Sequence, residues 1–223
     1  SQRGEFVSGF LYIFYTLANL ALLIWGLTLW RRYRLTSTLL IAAVIFGLVY
    51  DNLILSVGVG MSAGPLLYAL SVPRFILHQL VLPWLILAAF DQARRAGIDW
   101  AQGGRSRTVA IVASALVMVA GVLTRIVGVS WDPAVMDGVT RYVAVGVAGP
   151  PLVSILSIGF GTVVGFFLWR KLGWPWIALA GVLVFIGEGI PVEAVKRVLG
   201  SGAEVLFMAA MLGLDRKQGE EQA

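Results

Sequence analysis

The chain has 223 residues and a formal net charge of +5, and 59% of its residues are hydrophobic while only 13% are charged. An ordinary soluble domain carries about 25% charged residues, roughly twice that fraction. With a mean hydropathy of +0.87, a soluble globule of this size could not bury its apolar surface, and disordered chains are polar and charge-rich. The composition therefore predicts an integral membrane protein.

Two further totals exclude whole classes of site. The chain has no cysteine and a single histidine, His78, which excludes disulfides, thiolate nucleophiles, iron–sulfur clusters and sites that need two imidazoles. The sequence also lacks the phosphate-binding loop and the nucleophile elbow of serine hydrolases. We therefore expect no metal site and no cofactor.

Seven stretches have the roughly 20 mostly apolar residues that a membrane-spanning helix needs. The chain begins SQRGEF without an initiator Met, and we expect its first apolar run to be a mature span rather than a cleaved signal. Residues 61–72 are apolar but contain Gly64 and Pro65, so we expect a loop or an interfacial segment there. The predicted spans of this single transmembrane domain, residues 1–223, are 6–30, 36–58, 73–93, 108–128, 150–169, 174–190 and 192–214.

The basic residues predict the orientation, because cytoplasmic connections carry an excess of Lys and Arg. In the predicted topology eleven basic residues lie on one side of the membrane. Six lie on the other side, and most of those six are on helix ends. The result is an all-α bundle of seven transmembrane helices, with the N-terminus outside and the C-terminus in the cytoplasm. This topology explains the positive charge without a nucleic-acid partner and fits a multi-pass protein of the cell membrane, of the bacterial inner-membrane kind. The eleven basic residues on the predicted cytoplasmic side are Arg31, Arg32, Arg34, Arg94, Arg95, Arg105, Arg107, Arg170, Lys171, Arg216 and Lys217.

Three features of the sequence predict local structure and packing. The outer loop 130–147 is expected to form a lid or an interfacial helix. Pro83 is expected to kink the third span. Small residues at 157, 161 and 165 form a ridge in the fifth span that should let a neighbouring helix approach closely.

Polar residues within the spans are the main functional signal, because ionisable groups in a membrane are costly and usually face the interior of the bundle. In the predicted topology they cluster in the outer halves of the spans, and the inner halves are nearly free of charge. We therefore predict one polar cavity in the outer half of the bilayer. Its candidate catalytic residues are Asp51, His78, Glu188 and Glu204, and its candidate substrate-binding residues are Tyr12, Tyr15, Asn19, Tyr50, Asn52, Arg74 and Gln79.

A purely structural interpretation applies to several of these residues. Asp51 and Arg74 can form an ion pair between the second and third spans without any chemistry. Glu204 is harder to explain in this way, because it lies about halfway along the seventh span. It belongs to a stripe with Glu193, Arg197 and Gly200 at helical spacing, so the stripe predicts one polar face.

The first functional hypothesis is an intramembrane enzyme that acts on a lipid or isoprenoid by carboxyl-based acid–base chemistry. A carboxyl group in an apolar cavity can stay protonated at neutral pH and can then protonate an alkene, an epoxide or a carbonyl. Aromatic rings can stabilise the cation that forms. In size and expected helix count the chain resembles the small seven-helix, membrane-bound lycopene and terpene cyclases. This resemblance implies a cyclase- or isomerase-like activity and assigns no residue role.

Two other classes of function stay open. Intramembrane acids and bases also build the substrate sites and proton relays of carriers and sensors, although alternating access would need a matching polar path in the inner halves. The third possibility is an accessory subunit whose polar groups bind a partner helix. The one-sided distribution of the polar residues favours the enzyme.

Overall fold

The computed structural model describes the backbone of residues 2–136, 138–147, 149–190 and 193–222, and the side chains of these residues except 2–9 and 193–198. Helices dominate the fold, and one two-stranded antiparallel sheet interrupts them. A short 3-10 turn at residues 99–101 precedes the fifth helix. In chain order the elements are α1 Gln2–Tyr33, α2 Thr36–Val57, α3 Pro65–Val81, α4 Trp84–Arg95, α5 Gly104–Arg125, β1 Ser130–Met136, β2 Val139–Val145, α6 Leu152–Leu172, α7 Trp176–Glu188 and α8 Glu193–Gln222.

Within the described residues, five helical segments are long and apolar enough to cross a membrane. They are Phe10–Tyr33, Thr36–Val57, Pro65–Arg95, Gly104–Arg125 and Leu152–Leu172, and they correspond to the first five predicted spans. The two remaining predicted spans correspond to α7, which is apolar but only 13 residues long, and to α8. The five segments fit a membrane location, as the composition predicted.

The third span differs from its prediction. Residues 61–72 were expected to form a loop or an interfacial segment, but helix α3 begins at Pro65 and includes Pro73. Proline is well tolerated in the first turn of a helix, where its missing N–H has no partner in any case. Pro83, where a kink was predicted, lies at the interruption between α3 and α4.

The all-α prediction is wrong for residues 130–145. These residues form a β-hairpin in which Ser130 pairs with Val145 and Met136 pairs with Val139, and no interfacial helix is present within 130–136 or 138–145. Because Met136 pairs with Val139, the two strands are connected by two residues, the Asp-Gly dipeptide at 137–138. Residue 137 lies outside the described residues. Asp-Gly is a strong hairpin signal because the turn needs positive φ, and Gly138 has a φ of 74°.

The hydrophobic core lies where α2, α4, α6, α7 and α8 meet. Phe207 and Met211 of α8 pack there with Ile45, Leu85 and Leu168, and all five side chains are fully buried. The predicted ridge of small residues on α6 serves this packing. A side chain at position 165 would come within 2.6 Å of the backbone nitrogen of Ala178, and one at position 161 would come within 2.8 Å of the Phe207 ring. Glycines at positions 161 and 165 therefore allow α7 and α8 to pack closely against α6.

Candidate functional site

A polar cavity of about 310 Å³ lies among the helices at the end of the bundle that carries the hairpin. Seven of the eleven residues predicted to form the site line it, and they come from five different helices. These seven residues are Tyr12, Asp51, Arg74, His78, Gln79, Glu188 and Glu204. The structure thus brings these side chains together, while their roles in chemistry stay predictions.

An ion pair between α2 and α3 forms one wall of the cavity. The Arg74 Nε donates a hydrogen bond to the Asp51 Oδ1 at 2.5 Å, which confirms the pairing that the sequence allowed. The Arg74 side chain is 12% exposed and the Asp51 side chain 30% exposed. Asp51 is therefore a paired carboxylate that still reaches open space.

Glu204 occupies a different electrostatic setting in the same cavity. Within the part of the chain that the structure describes, it makes no hydrogen bond and no ion pair. The carboxyl of Glu188 lies against Gly200, where an added Cβ would be 3.0 Å from the Glu188 Oε1. The polar stripe on α8 therefore contributes Gly200 and Glu204 to the cavity, and the side chains of Glu193 and Arg197 lie outside the described residues.

The hairpin borders the cavity and adds a residue that sequence reasoning did not assign to the site. Arg141 of β2 lines the cavity, is buried, and donates a hydrogen bond from its Nη2 to the Tyr12 hydroxyl at 3.3 Å. The Thr140 N–H donates to the Gly58 carbonyl at 2.9 Å, and the Trp131 ring stacks on Phe75 at 5.5 Å. Arg141 was missed because nothing in a predicted loop indicates which of its residues turns towards the bundle.

Two arginines of the cavity keep buried donor atoms without a hydrogen-bond partner among the described residues. These atoms are Nη1 of Arg74 and Nε of Arg141. A buried donor without a partner costs about 1–3 kcal/mol, so such atoms mark positions where an acceptor is expected. A bound molecule with an oxygen acceptor would meet that need.

His78 connects this cavity to a second, smaller one. The second cavity has a volume of about 190 Å³ and shares His78, Gln79 and Phe75 with the first. The His78 Nε2 lies 3.1 Å from the Ser154 Oγ at the start of α6. Ser154 was not predicted as part of the site, because its contact with His78 joins residues 76 positions apart.

The four other predicted site residues make structural contacts within and between helices. The Asn19 and Asn52 amides donate to the carbonyls of Tyr15 and Leu48 one turn earlier in their own helices. The Tyr50 hydroxyl donates to the Leu70 carbonyl at 2.9 Å. Tyr15 lies against α8, where an added Cβ at Gly202 would be 3.1 Å from the Tyr15 hydroxyl. None of the four lines the cavity.

A second polar cluster lies at the opposite end of the bundle, where the inner halves of the predicted spans were expected to be nearly free of charge. Asp215 of α8 is fully buried and accepts four hydrogen bonds from α2 and α4. Arg95 also pairs with Asp91 one turn earlier in α4. We call this set the Asp215 cluster. Its donors to Asp215 are the Ser37 Oγ at 2.7 Å, the Thr38 Oγ1 at 2.7 Å, the Gln92 Nε2 at 2.9 Å and the Arg95 Nη2 at 2.6 Å.

The position of these residues near predicted helix ends explains the error. Arg95 was counted as a basic residue of a cytoplasmic connection, and residue 215 lies just beyond the predicted span 192–214. The spacing of Asp91 and Arg95 by four residues was the one local signal that could have indicated an ion pair. The hydrogen bonds to Asp215 join residues at least 120 positions apart, and no local pattern predicts them.

Within the described residues, no group of three or more His, Asp or Glu side chains is arranged to hold a metal ion. The side chains that line the cavity offer acids, a base, two guanidinium groups and aromatic rings. Comparison of the chain with protein-family models, with curated proteins and with solved structures found no match in any of the three.

Proposed function

We propose that the protein is an intramembrane enzyme that isomerises or cyclises a lipid or isoprenoid by acid–base chemistry in this cavity. The observation that carries the proposal is the contrast between two carboxyls in one cavity. Asp51 is paired with a guanidinium, whereas Glu204 has no ion pair or hydrogen bond within the described chain. Two titratable groups held in opposite settings are the usual arrangement of an acid and its base.

The unpaired donors narrow the substrate class. An alkene accepts hydrogen bonds poorly, whereas the oxygen of an epoxide or a carbonyl accepts them well, and both Arg74 and Arg141 keep a buried donor without a described partner. We therefore favour a substrate with an epoxide or carbonyl at the end of an apolar chain. A cavity of about 310 Å³ is at the lower end of the size range of small-molecule sites, so it would hold the reactive end while the apolar tail stays in the membrane.

For an epoxide substrate, the carboxyl groups of the cavity supply and accept every proton of the proposed reaction. Glu204 gives its proton to the epoxide oxygen, and the C–O bond breaks with both electrons going to oxygen, which leaves a hydroxyl and a carbocation. The π electrons of a double bond in the same substrate attack the cation to close a ring, or no ring forms. A neighbouring carbon then loses a proton to Asp51, and transfer of that proton to Glu204 restores the enzyme. The Tyr12 and Phe75 rings, which line the cavity, would stabilise the cation.

The experiment uses the purified protein in nanodiscs with oxidosqualene, farnesyl epoxide and farnesal, each followed by chromatography coupled to mass spectrometry for a product of unchanged mass and different retention time. We expect conversion by the wild type and its loss in Glu204→Gln and Asp51→Asn. The matched control is Glu220→Gln, an exposed carboxyl on the same helix as Glu204, which should react like the wild type. Absence of an isomer from all three substrates, or full activity in both cavity variants, would overturn the proposal.

The proposal includes the seven-span topology, in which α7 and α8 also cross the membrane and the cavity lies in the outer half of the bilayer. Because the chain has no cysteine, single cysteines can report the side of each segment without background. We expect Val135→Cys in the hairpin to react with an impermeant thiol reagent in intact cells. We expect Asp99→Cys, in the connection before α5, to react only after the cells are opened. The reverse pattern would overturn the orientation.

A proton-coupled carrier in the same membrane is the second candidate, and the Asp215 cluster favours it. A carrier needs polar groups near both ends of the bundle, and Glu204 and Asp215 lie eleven residues apart on one helix, about 16 Å along its axis. Fully buried Phe207, Met208 and Met211 lie between them. A carrier predicts proton-coupled uptake into liposomes that both Asp51→Asn and Asp215→Asn stop, whereas the enzyme predicts product formation without uptake.

A further inference from the structure

An apolar groove of about 700 Å³ lies between α4, α5 and α6. It is separate from the polar cavity, and the two share no lining residue. Aliphatic and aromatic side chains make up nearly all of its walls. Trp100 forms part of one wall, and its ring lies 6.0 Å from that of Phe90 and 6.3 Å from that of Phe160.

The groove has one polar end. Arg105 is the only charged residue among its lining residues, and Ser106 lies beside it at the first turn of α5. Arg105 is exposed and makes no hydrogen bond or ion pair within the part of the chain described. The residue that caps the N-terminus of α5 is Gly103, which has no side chain that could accept a hydrogen bond from the first turn. Amides of that turn are therefore also free to bind an anion.

The length of the groove matches one leaflet of a bilayer. Along α5 it extends from Arg105 to Val117, twelve residues or about 18 Å. Half of the hydrocarbon core of a membrane is about 15 Å thick. A chain that lies in the groove with its polar end at Arg105 would therefore reach approximately to the middle of the bilayer.

We propose that this groove binds one anionic phospholipid, with an acyl chain against Phe160 and Val117 and the phosphate at Arg105 and Ser106. Charge complementarity selects this occupant over a zwitterionic lipid, because a free guanidinium at a helix N-terminus attracts net negative charge. The weak packing of α5 agrees with a lipid contact. Of the apolar stretch of α5, 17% of the residues are buried in the bundle, compared with 50% for the apolar stretch of α2. The proposal is independent of the chemistry in the polar cavity.

Fluorescence quenching in nanodiscs tests the proposal. The discs contain mostly unlabelled phosphatidylcholine and a small fraction of one brominated lipid, either phosphatidylglycerol or phosphatidylcholine. Bromine on the acyl chains quenches tryptophan fluorescence on contact. The Trp100 signal is the difference between the wild type and Trp100→Phe. A single Arg at the membrane surface enriches an anionic lipid about fivefold, so we expect brominated phosphatidylglycerol to quench Trp100 several times more than the brominated zwitterionic lipid.

Three variants distinguish a built site from general lipid contact. Arg105→Gln should reduce quenching by brominated phosphatidylglycerol to the zwitterionic level, whereas Arg107→Gln, an exposed arginine two residues further along and outside the groove lining, should leave it unchanged. Ala113→Phe fills the groove and should reduce quenching by both lipids. Equal quenching of Trp100 by the two lipids in the wild type, or a preference that survives Arg105→Gln, would overturn the proposal. All variants must elute as the wild type does in size-exclusion chromatography.

Discussion

Replacing Asp215 by alanine is expected to destabilise the helix bundle strongly, although the residue lies far from the polar cavity. The variant removes a fully buried carboxylate and takes one acceptor from four donors of α2 and α4, of which the Gln92 and Arg95 nitrogens keep a second acceptor. It also leaves Arg95, whose side chain is 12% exposed, with Asp91 as its remaining acidic partner. Removing one partner of a buried ion pair costs about 3–5 kcal/mol.

The lower end of that range applies, because Asp91 still balances part of the Arg95 charge and because Ser37 also accepts a hydrogen bond from Arg95. We therefore expect the free energy of unfolding to fall by about 3 kcal/mol, which shifts the unfolding equilibrium more than a hundredfold. Asp215→Asn should have a smaller effect, because its amide oxygen still accepts hydrogen bonds from some of the donors.

Equilibrium unfolding in mixed micelles with increasing sodium dodecyl sulfate, followed by tryptophan fluorescence, measures the change. The matched control is Glu220→Ala on the same helix, which breaks an exposed pair with Arg216 at 2.9 Å and should unfold like the wild type. If Asp215→Ala and Glu220→Ala were to unfold at the same detergent concentration, the Asp215 cluster would not stabilise the bundle and the reasoning would be refuted.

Two glycines give further predictions. Gly165→Ala should lower the free energy of unfolding by about 1–3 kcal/mol, because its Cβ would lie 2.6 Å from the Ala178 backbone nitrogen; Gly159→Ala, whose Cβ would have no neighbour closer than 3.6 Å, should have little effect in the same assay. Gly58→Ala should loosen the hairpin, because its Cβ would collide with the Thr140 carbonyl. Limited proteolysis should then cut within 130–145 faster than in the wild type, and an unchanged rate would contradict the contact.

Much of the helical architecture follows from local sequence properties. Each of the five membrane-length segments is a run of apolar residues long enough to be recognised in isolation, and Pro83 breaks its helix because proline lacks an N–H wherever it occurs. The pairing of Asp51 with Arg74 was foreseeable in the same sense, since two opposite charges within neighbouring spans are costly unless they meet. The hairpin had a local signal as well, the Asp-Gly dipeptide at 137–138 followed by the β-branched residues Val139 and Thr140, but the loop was expected to form a lid or an interfacial helix.

The sequence alone therefore determined the class of protein and the approximate bounds of most helices, because hydropathy and backbone preference act over a few residues. Only the tertiary structure decided which polar side chains meet. In the tertiary structure Asp51, Glu204 and Arg141 of the hairpin line the same cavity. The Asn19 and Asn52 amides instead donate hydrogen bonds to carbonyls of their own helices. The tertiary structure also buried Asp215 against Arg95 across 120 positions of sequence. Such contacts depend on how helices rotate and pack against one another, and the packing of the whole core determines that rotation.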